Sequence, residues 1–428
     1  MAASETHRAI DAVWRIESAK LIAGLVRVVR DVGLAEDLAQ DALVAALKQW
    51  PESGVPVNPG AWLMAVAKRR AVDLVRRNVM LERKHEELAR DLELQQGVTP
   101  DHDAALDDHV GDDLLRLMFT ACHPVLSTEA RVALTLRLLG GLTTEEIARG
   151  FLVPEPTVAQ RIVRAKRTLT EARVPFEVPF GAELRERISS VLGVIYLIFN
   201  EGYSATAGDD WIRPSLCEEA LRLGRILAGL VPNEPEVHGL VALMEIQASR
   251  AGARVGPNGD PVLLLDQNRA RWDQLLIRRG LAALERAQQL GGALGPYSLQ
   301  AAIAACHARA RTAEETDWGR IAALYDALAQ LMPSPVVELN RAVAIAMAFG
   351  PAAGLELVDE LTELPALRSY HLLPSVRGDL LAKLGRFGEA RDEFQRAAAL
   401  TRNERERRLL IERVAACDSL ATPTPGLQ

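Results

Sequence analysis

Apolar residues recur three and four positions apart through most of this 428-residue chain, and strand-like alternation with polar residues is scarce. Near the N-terminus, Ile10, Val13, Trp14, Ile16, Leu21, Leu25 and Val28 follow the helical period. Long runs of Ala, Leu, Arg and Glu reinforce it, because these side chains lose little rotamer freedom in a helix. The expectation is an all-α protein of roughly two to four domains, each long enough to bury its own core. A residue mix with 49% hydrophobic and 25% charged side chains supports ordinary cores rather than disorder or membrane embedding. Met1 to Asp11 carries no basic-then-apolar leader pattern. The most apolar stretch, Ile188 to Phe199, is too short to cross a bilayer. Cys122, Cys217, Cys306 and Cys417 are scattered without a CxxC pair, which argues against a zinc finger or a disulfide framework. A cytoplasmic location, no membrane partner and no metal or cofactor are expected.

The formal net charge of -7 hides a segregated pattern. Lys68, Arg69, Arg70, Arg76, Arg77, Arg83 and Lys84 face only Asp73 and Glu82 in their stretch, and Arg161, Arg164, Lys166, Arg167 and Arg173 form a second basic island. Between them runs an acidic segment that includes Glu86, Glu87, Asp91, Glu93, Asp101, Asp103, Asp112 and Asp113. Such islands suit nucleic-acid phosphates, and they also suit solvated helix faces; charge alone leaves both open.

Punctuation by Gly and Pro divides the chain. Residues 5–80 are expected to form three or four helices, with Gly33 ending the first, Leu34 to Trp50 making the second, Pro51 to Pro59 a loop, and Ala61 to Val79 the third. Trp62, Leu63, Val66, Val72 and Val75 would share one side of that third helix, and Trp50 and Trp62 would sit in the core. Residues 81–112 form an acidic linker, broken by Gly97 and Pro100, and residues 113–174 a second helical unit. After Pro175, Pro179 and Gly181, residues 182–420 read as a long series of helices joined by short turns.

The sharpest motif is TEEIARGFLVPEPTVAQRI, Thr144 to Ile162. Ala148 and Val158, small and apolar ten residues apart, allow the close helix packing of a helix-turn-helix. Thr143 is the expected N-cap, with Glu146 completing a capping box. Pro154 and Pro156 fall at the turn and the next helix's first turn, where a missing N–H costs little. Leu152 occupies a turn position that more often holds Gly. Val158, Ile162, Ala165 and Leu169 would be buried, leaving Thr157, Ala159, Gln160, Arg161, Arg164, Lys166 and Arg167 outside the stripe. Gln pairs with adenine and Arg with guanine in a major groove, while other basic groups meet phosphates. A basic helical hairpin in an ordinary bundle would show the same pattern.

Two segments carry a family resemblance. GLAEDLAQDALVAALKQW (Gly33 to Trp50) with WLMAVAKRRAVDLVRR (Trp62 to Arg77) resembles region 2 of extracytoplasmic-function (ECF) RNA polymerase sigma factors. LTTEEIA with TVAQRIVRAKRTL resembles their region 4. The resemblance covers roughly residues 5–173 and implies a sigma factor that directs promoter-specific initiation. It implies that Glu36, Asp37, Gln40 and Asp41 meet the coiled-coil clamp of the polymerase β′ subunit, with the β flap as a further contact of core polymerase. It implies that Lys68, Arg69, Arg70, Arg76 and Arg77 meet the promoter −10 element, although Arg69 stands where family members often carry Asn. The face of Thr157, Ala159, Gln160, Arg161, Arg164, Lys166 and Arg167 would read the −35 element.

The C-terminal half contains FNEGYSA, DQNRARWD, GPYSLQAAIAACHA, TDW and SPVVELNRAVA, and resembles a sub-group with a long helical extension. Gly378, Gly385, Ala390, Phe394 and Ala397 sit at TPR offsets, so a TPR-like stack is inferred. Polar and aromatic residues within it, among them Tyr203, Gln267, Arg269, Trp272 and His307, either bind a peptide, protein or small-molecule regulator or tie repeats together. The resemblance implies a regulatory module acting in cis.

Enzyme readings fail on context: the aspartates of DDHVGDD (Asp107 to Asp113) fall in a polar linker, and Cys122–His123 precedes a helix-ending Pro124. P-loop, GxSxG and HExxH patterns are absent from the sequence. The alternatives kept beside the sigma reading are a TPR-containing DNA-binding regulator that acts without polymerase and a TPR peptide-binding scaffold.

Overall fold

Nearly every stretch with the three- and four-residue apolar period is helical in the computed structural model, which describes residues 2–90, 110–151, 153–204, 212–256 and 261–421. The described residues form eighteen α-helices and no sheet; one isolated bridge joins Val255 and Pro261. None of those helices is long and apolar enough to cross a membrane. The four cysteines are free thiols. Most of the acidic linker, residues 91–109, lies outside the described residues, as do Leu152 and the tail from Thr422.

The chain divides into two compact units, residues 1–197 and 198–428. The first begins with α1 (Ala2–Val29), α2 (Val32–Ser53) and α3 (Pro59–Arg90). Ala35, Ala39, Ala42 and Ala46 give α2 a face fully buried against its neighbours, into which Leu21, Ile22 and Leu25 of α1 pack. Small side chains let the helices close tightly, and the large apolar groups of α1 then fill the groove. Trp50 closes the end of this core at 1% exposure, edge-on to Trp62 at 5.3 Å.

Three local expectations are corrected. Gly33 does not end α1: Arg30 makes the break in the left-handed region (φ 54°), and Asp31 caps α2 by accepting from the Leu34 amide at 2.8 Å. The chain turns three residues earlier because the carboxylate at Asp31 supplies the N-cap that Gly33 cannot. The buried stripe of α3 is Leu63, Ala67 and Ala71, whereas Val72 is exposed, as is Ile16 of α1. In α3 the small Ala67 and Ala71, at four-residue spacing from Leu63, took the packed face in place of the larger Val72. Helix α2 also runs on through Pro51 to Ser53, so the loop before α3 is shorter than expected.

Four helices complete this unit: α4 (Val110–Ala121), α5 (Thr128–Leu138), α6 (Thr144–Phe151) and α7 (Glu155–Glu171). Helix α4 packs on both α1 and α5; its Asp113, 3% exposed, meets Arg116 at 2.8 Å and Arg27 at 3.6 Å. Residues after α7 form the expected loop, but the packing boundary lies further on. Helix α8 (Gly181–Tyr203) begins within the first unit, where Arg187 donates to the Phe119 carbonyl at 2.9 Å and Ser190 to the Cys122 carbonyl at 2.7 Å.

The second unit continues as α9 (Pro214–Leu230), α10 (Pro235–Ala248), α11 (Gln274–Gln289), α12 (Pro296–Arg309), α13 (Trp318–Leu331), α14 (Pro335–Phe349), α15 (Pro351–Leu361), α16 (Leu372–Lys383), α17 (Phe387–Leu400) and α18 (Glu404–Ala421). Successive helices pair as hairpins. Gly378, Gly385, Ala390, Phe394 and Ala397 lie in the α16–α17 hairpin. A Cβ at Gly378 would lie 2.9 Å from the Phe394 ring, Gly385 makes the turn at φ 76°, and Ala390 and Ala397 are fully buried. Several polar residues of the half serve structure: Asp273 and Asp317 cap α11 and α13, and Arg341 meets Glu338 at 2.9 Å and Asp326 at 3.3 Å.

Candidate nucleic-acid interface

The helix-turn-helix is built as its sequence dictates. Thr143 and Glu146 close the capping box in both directions, Thr143 N–H to Glu146 Oε2 at 2.8 Å and Glu146 N–H to Thr143 Oγ1 at 3.1 Å. Two otherwise orphaned amides at the start of α6 are thereby satisfied. Helix α6 packs on α7, and Ile147 and Ala148 of the first and Val158, Ile162, Ala165 and Leu169 of the second are all buried. Pro154 precedes α7 and Pro156 lies in its first turn, where no intrahelical N–H bond is lost.

That packing turns a polar edge of α7 outward. Gln160, Arg164 and Arg167 are exposed, and Thr157, Ala159 and Arg161 are half-buried. Arg167 is held by Glu171 one turn on, at 2.6 Å, whereas Gln160, Arg161 and Arg164 have no hydrogen-bond or ion-pair partner among the described residues. On α3, Arg69, Arg70, Arg76 and Arg77 are exposed and Lys68 is half-buried. Asp73 pairs with none of these arginines; Arg70 reaches instead to Asp41 of α2, at 3.0 Å. Two exposed cationic edges on two helical modules are an arrangement that phosphate backbones neutralise.

The four acidic and amide residues of α2 do not share one environment. Asp37 and Asp41 are exposed and Gln40 is half-buried, so these three border one accessible strip. Glu36 is 3% exposed and faces the other module. Its carboxylate accepts from Arg137 of α5 at 2.6 Å and from Gln40 at 2.7 Å, and pairs with Lys166 of α7. Burial by itself would raise the Glu36 carboxyl, but Lys166 and Arg137 outweigh it and hold the group below its ordinary value of 4.5. Lys166, read as a DNA contact, is thus engaged with α2 in this packing.

Further contacts surround this ion triad. Arg15 of α1 meets Glu146 at 2.8 Å, and Thr170 of α7 donates to Asp31 at 2.8 Å. Gly141, in the left-handed region at φ 65°, brings the turn before α6 against α1, where a Cβ would stand 3.0 Å from Ser18 Oγ. Arg137 and Asp31 were not singled out from the sequence. Their partners lie 101 and 139 residues away, so periodicity offers no signal for them.

Two small helical modules, one a capped helix-turn-helix with a Gln- and Arg-bearing outer edge, define a nucleic-acid-binding transcription protein. Residues 17–79 match the Sigma-70 region 2 family and residues 116–169 the Sigma-70 region 4 family, while residues 187–288 match a family of unknown function, DUF6596. The ECF RNA polymerase sigma factor SigK of Mycobacterium bovis is 31% identical over 151 residues, which cover 34% of this chain and 76% of SigK. The probable ECF RNA polymerase sigma factor SigI of Mycobacterium tuberculosis is 28% identical over 176 residues, 40% of this chain and 58% of SigI. An uncharacterized protein of Rhizobium meliloti is 45% identical over 397 residues, 92% of each chain. The chain belongs to the ECF RNA polymerase sigma factor family and carries a long helical C-terminal extension. It is a transcription initiation factor rather than an enzyme.

Proposed function

We propose that this protein recruits core RNA polymerase to promoters in the cytoplasm by reading two elements at once. Asp37, Gln40 and Asp41 dock α2 on the β′ clamp, and the region 4 module rests on the β flap. Lys68, Arg69, Arg70, Arg76 and Arg77 hold the −10 element near the point of melting, where phosphates must be gripped while a base unstacks. Thr157, Ala159, Gln160, Arg161, Arg164 and Arg167 read the −35 element, joined by Lys166 once it leaves Glu36. The observation that carries this reading is the outer edge of the recognition helix, where Gln160 and Arg164 are exposed, Arg161 is half-buried, and none of the three has a hydrogen-bond or ion-pair partner among the described residues.

The packing of α2 against α5 and α7 adds a condition. Glu36 lies beside the polymerase-facing strip and Lys166 on the recognition helix, so engaging both partners together requires this ion triad to open. The C-terminal unit acts in cis on that process, a role supported by its fusion to the two sigma regions. Run-off transcription with purified core polymerase and a genomic fragment library tests the whole reading. Discrete start sites should appear only when chain and core are both present, and should fade steeply with salt. Binding of an operator without core, and no core-dependent initiation, would instead identify a polymerase-independent regulator. Removing residues 204–428 should change the yield or its control; unchanged output would remove the cis role.

A smaller effect isolates the polymerase contact. Asp37→Ala with Gln40→Ala should lower affinity for β′ by ~10-fold, the scale of one or two lost rim contacts, while far-UV circular dichroism stays unchanged. Full retention of β′ in a pull-down titration would count against the docking strip.

A further inference from the structure

The C-terminal unit buries an arginine that the described residues leave without a hydrogen-bonded or ion-paired partner. Arg250, just beyond the end of α10, is 9% exposed. Its guanidinium carbon stands 5.7 Å from the centre of the Tyr203 ring and 5.9 Å from that of Trp272. Among the described residues it has no side-chain hydrogen bond and no ion pair, and its Nε is fully enclosed without an acceptor. Ring faces attract a cation but cannot accept five N–H groups in the guanidinium plane. A charge enclosed in this way is costly unless an anion meets it.

The surroundings sharpen the contrast. Arg269 is also stacked on Trp272, at 5.1 Å, but spends its donors on the carbonyls of His307 (2.6 Å) and Ala310 (2.9 Å) and on Thr316 Oγ1 (3.0 Å). Arg254, 6% exposed, lies 3.6 Å from the Tyr203 ring centre and donates to the Tyr203 carbonyl, so it is a second buried charge but a partnered one. The nearest carboxylate along α10, Glu245, is taken by Arg225 at 2.8 Å and Arg279 at 3.4 Å. Burial first, then the charges of Arg250 and Arg269, push His307 down to about 4, so its ring is neutral and its enclosed Nδ1 is unpartnered. Gln267, 8% exposed, likewise has an enclosed Oε1 with no donor. A neutral histidine thus stands beside Arg250 and Arg269, and the acidic groups Glu314 and Glu315 act on Arg269.

We infer that Arg250, flanked by Tyr203 and Trp272, is the anchor of a binding site for a small molecule bearing a carboxylate or phosphate group. The planar guanidinium fork matches either oxyanion with two parallel N–H donations, and the rings on its faces hold that fork in plane. Arg254 adds long-range attraction, and binding would relieve the repulsion among the three cations.

Thermal unfolding of the full-length protein near neutral pH tests the site, with sodium phosphate or sodium acetate compared against chloride at equal ionic strength. The wild type should gain ~3 °C or more with at least one oxyanion. A larger response to phosphate assigns a phosphorylated ligand, and a larger response to acetate a carboxylate. Arg250→Met should lose the response while being at least as stable as the wild type in chloride, because it removes an unpaired buried charge. If Arg250→Met is less stable in chloride, the chain itself already pairs the arginine and the site is lost. Equal gains in wild type and variant would reduce the effect to general salt exclusion and also overturn it. A second reading uses the wild type alone: the His307 imidazole resonance should titrate at higher pH with the oxyanion bound. An unmoved titration would refute the neutralisation on which the proposal rests.

Discussion

Glu36→Ala is expected to destabilise the first unit by ~2 kcal/mol and to increase, not decrease, binding of the recognition helix to −35 DNA. Removing one member of a buried ion pair ordinarily costs roughly 3–5 kcal/mol, because the remaining charge is stranded. Here Arg137 and Lys166 keep 23% and 20% side-chain exposure, so water recovers part of that loss. The same change frees Lys166 for phosphate and loosens α7 from α2. Thermal unfolding and fluorescence anisotropy with a −35 duplex measure both effects on one preparation. A variant as stable as the wild type, or one with weaker DNA binding, would exclude Glu36 as the tie between the modules. Acid provides an independent handle. The Glu36 carboxyl titrates below its ordinary 4.5 when folded, so its contribution is complete above pH 4.5 and disappears as pH falls through the lowered value. Glu36→Gln should remove that acid-dependent component while leaving the rest of the unfolding profile in place.

Arg161→Ala combined with Arg164→Ala should cut −35-dependent run-off transcription by ~100-fold, taking ~1–2 kcal/mol for each arginine contact to base edge or phosphate. Among the described residues neither side chain makes a hydrogen bond or ion pair, and Arg161 adds only a charge near Glu129, so the fold is spared: the buried stripe of α7 is formed by Val158, Ile162, Ala165 and Leu169. Affinity for core polymerase, measured with the same preparations, should not change. Equal losses of transcription and core affinity would reassign the α7 edge to a protein contact. Arg167→Ala makes the internal comparison, since Glu171 already occupies that guanidinium at 2.6 Å. It should cost well under 10-fold, the smaller effect of a charge already shared.

The readable part of this protein was local. Helix periods, the Thr143–Glu146 capping box, the prolines around the start of α7 and its buried stripe all depend on residues within a turn or two of each other. Such short-range terms are written directly into the spacing. The misread points share a cause as well. Residue type favours Gly33 as a helix end and Val72 as a core residue, whereas Asp31 as a cap and alanine as the close-packing surface of α3 decide the outcome. Packing selects shape, and a small side chain can win the core face when two helix axes approach closely.

The sequence by itself determined an all-helical chain and the polar edge of the recognition helix, since each follows from patterns confined to one helix or one hairpin; the two sigma regions were legible through the resemblance of their motifs to a family. Only the tertiary structure decided that Glu36 and Lys166 turn toward each other rather than toward polymerase and DNA. It alone gathered Arg250, Tyr203 and Trp272 at a single place. Those outcomes depend on groups far apart along the chain, and the energy of bringing a buried charge to its partner, or of leaving it without one, exists only once the backbone has closed the distance.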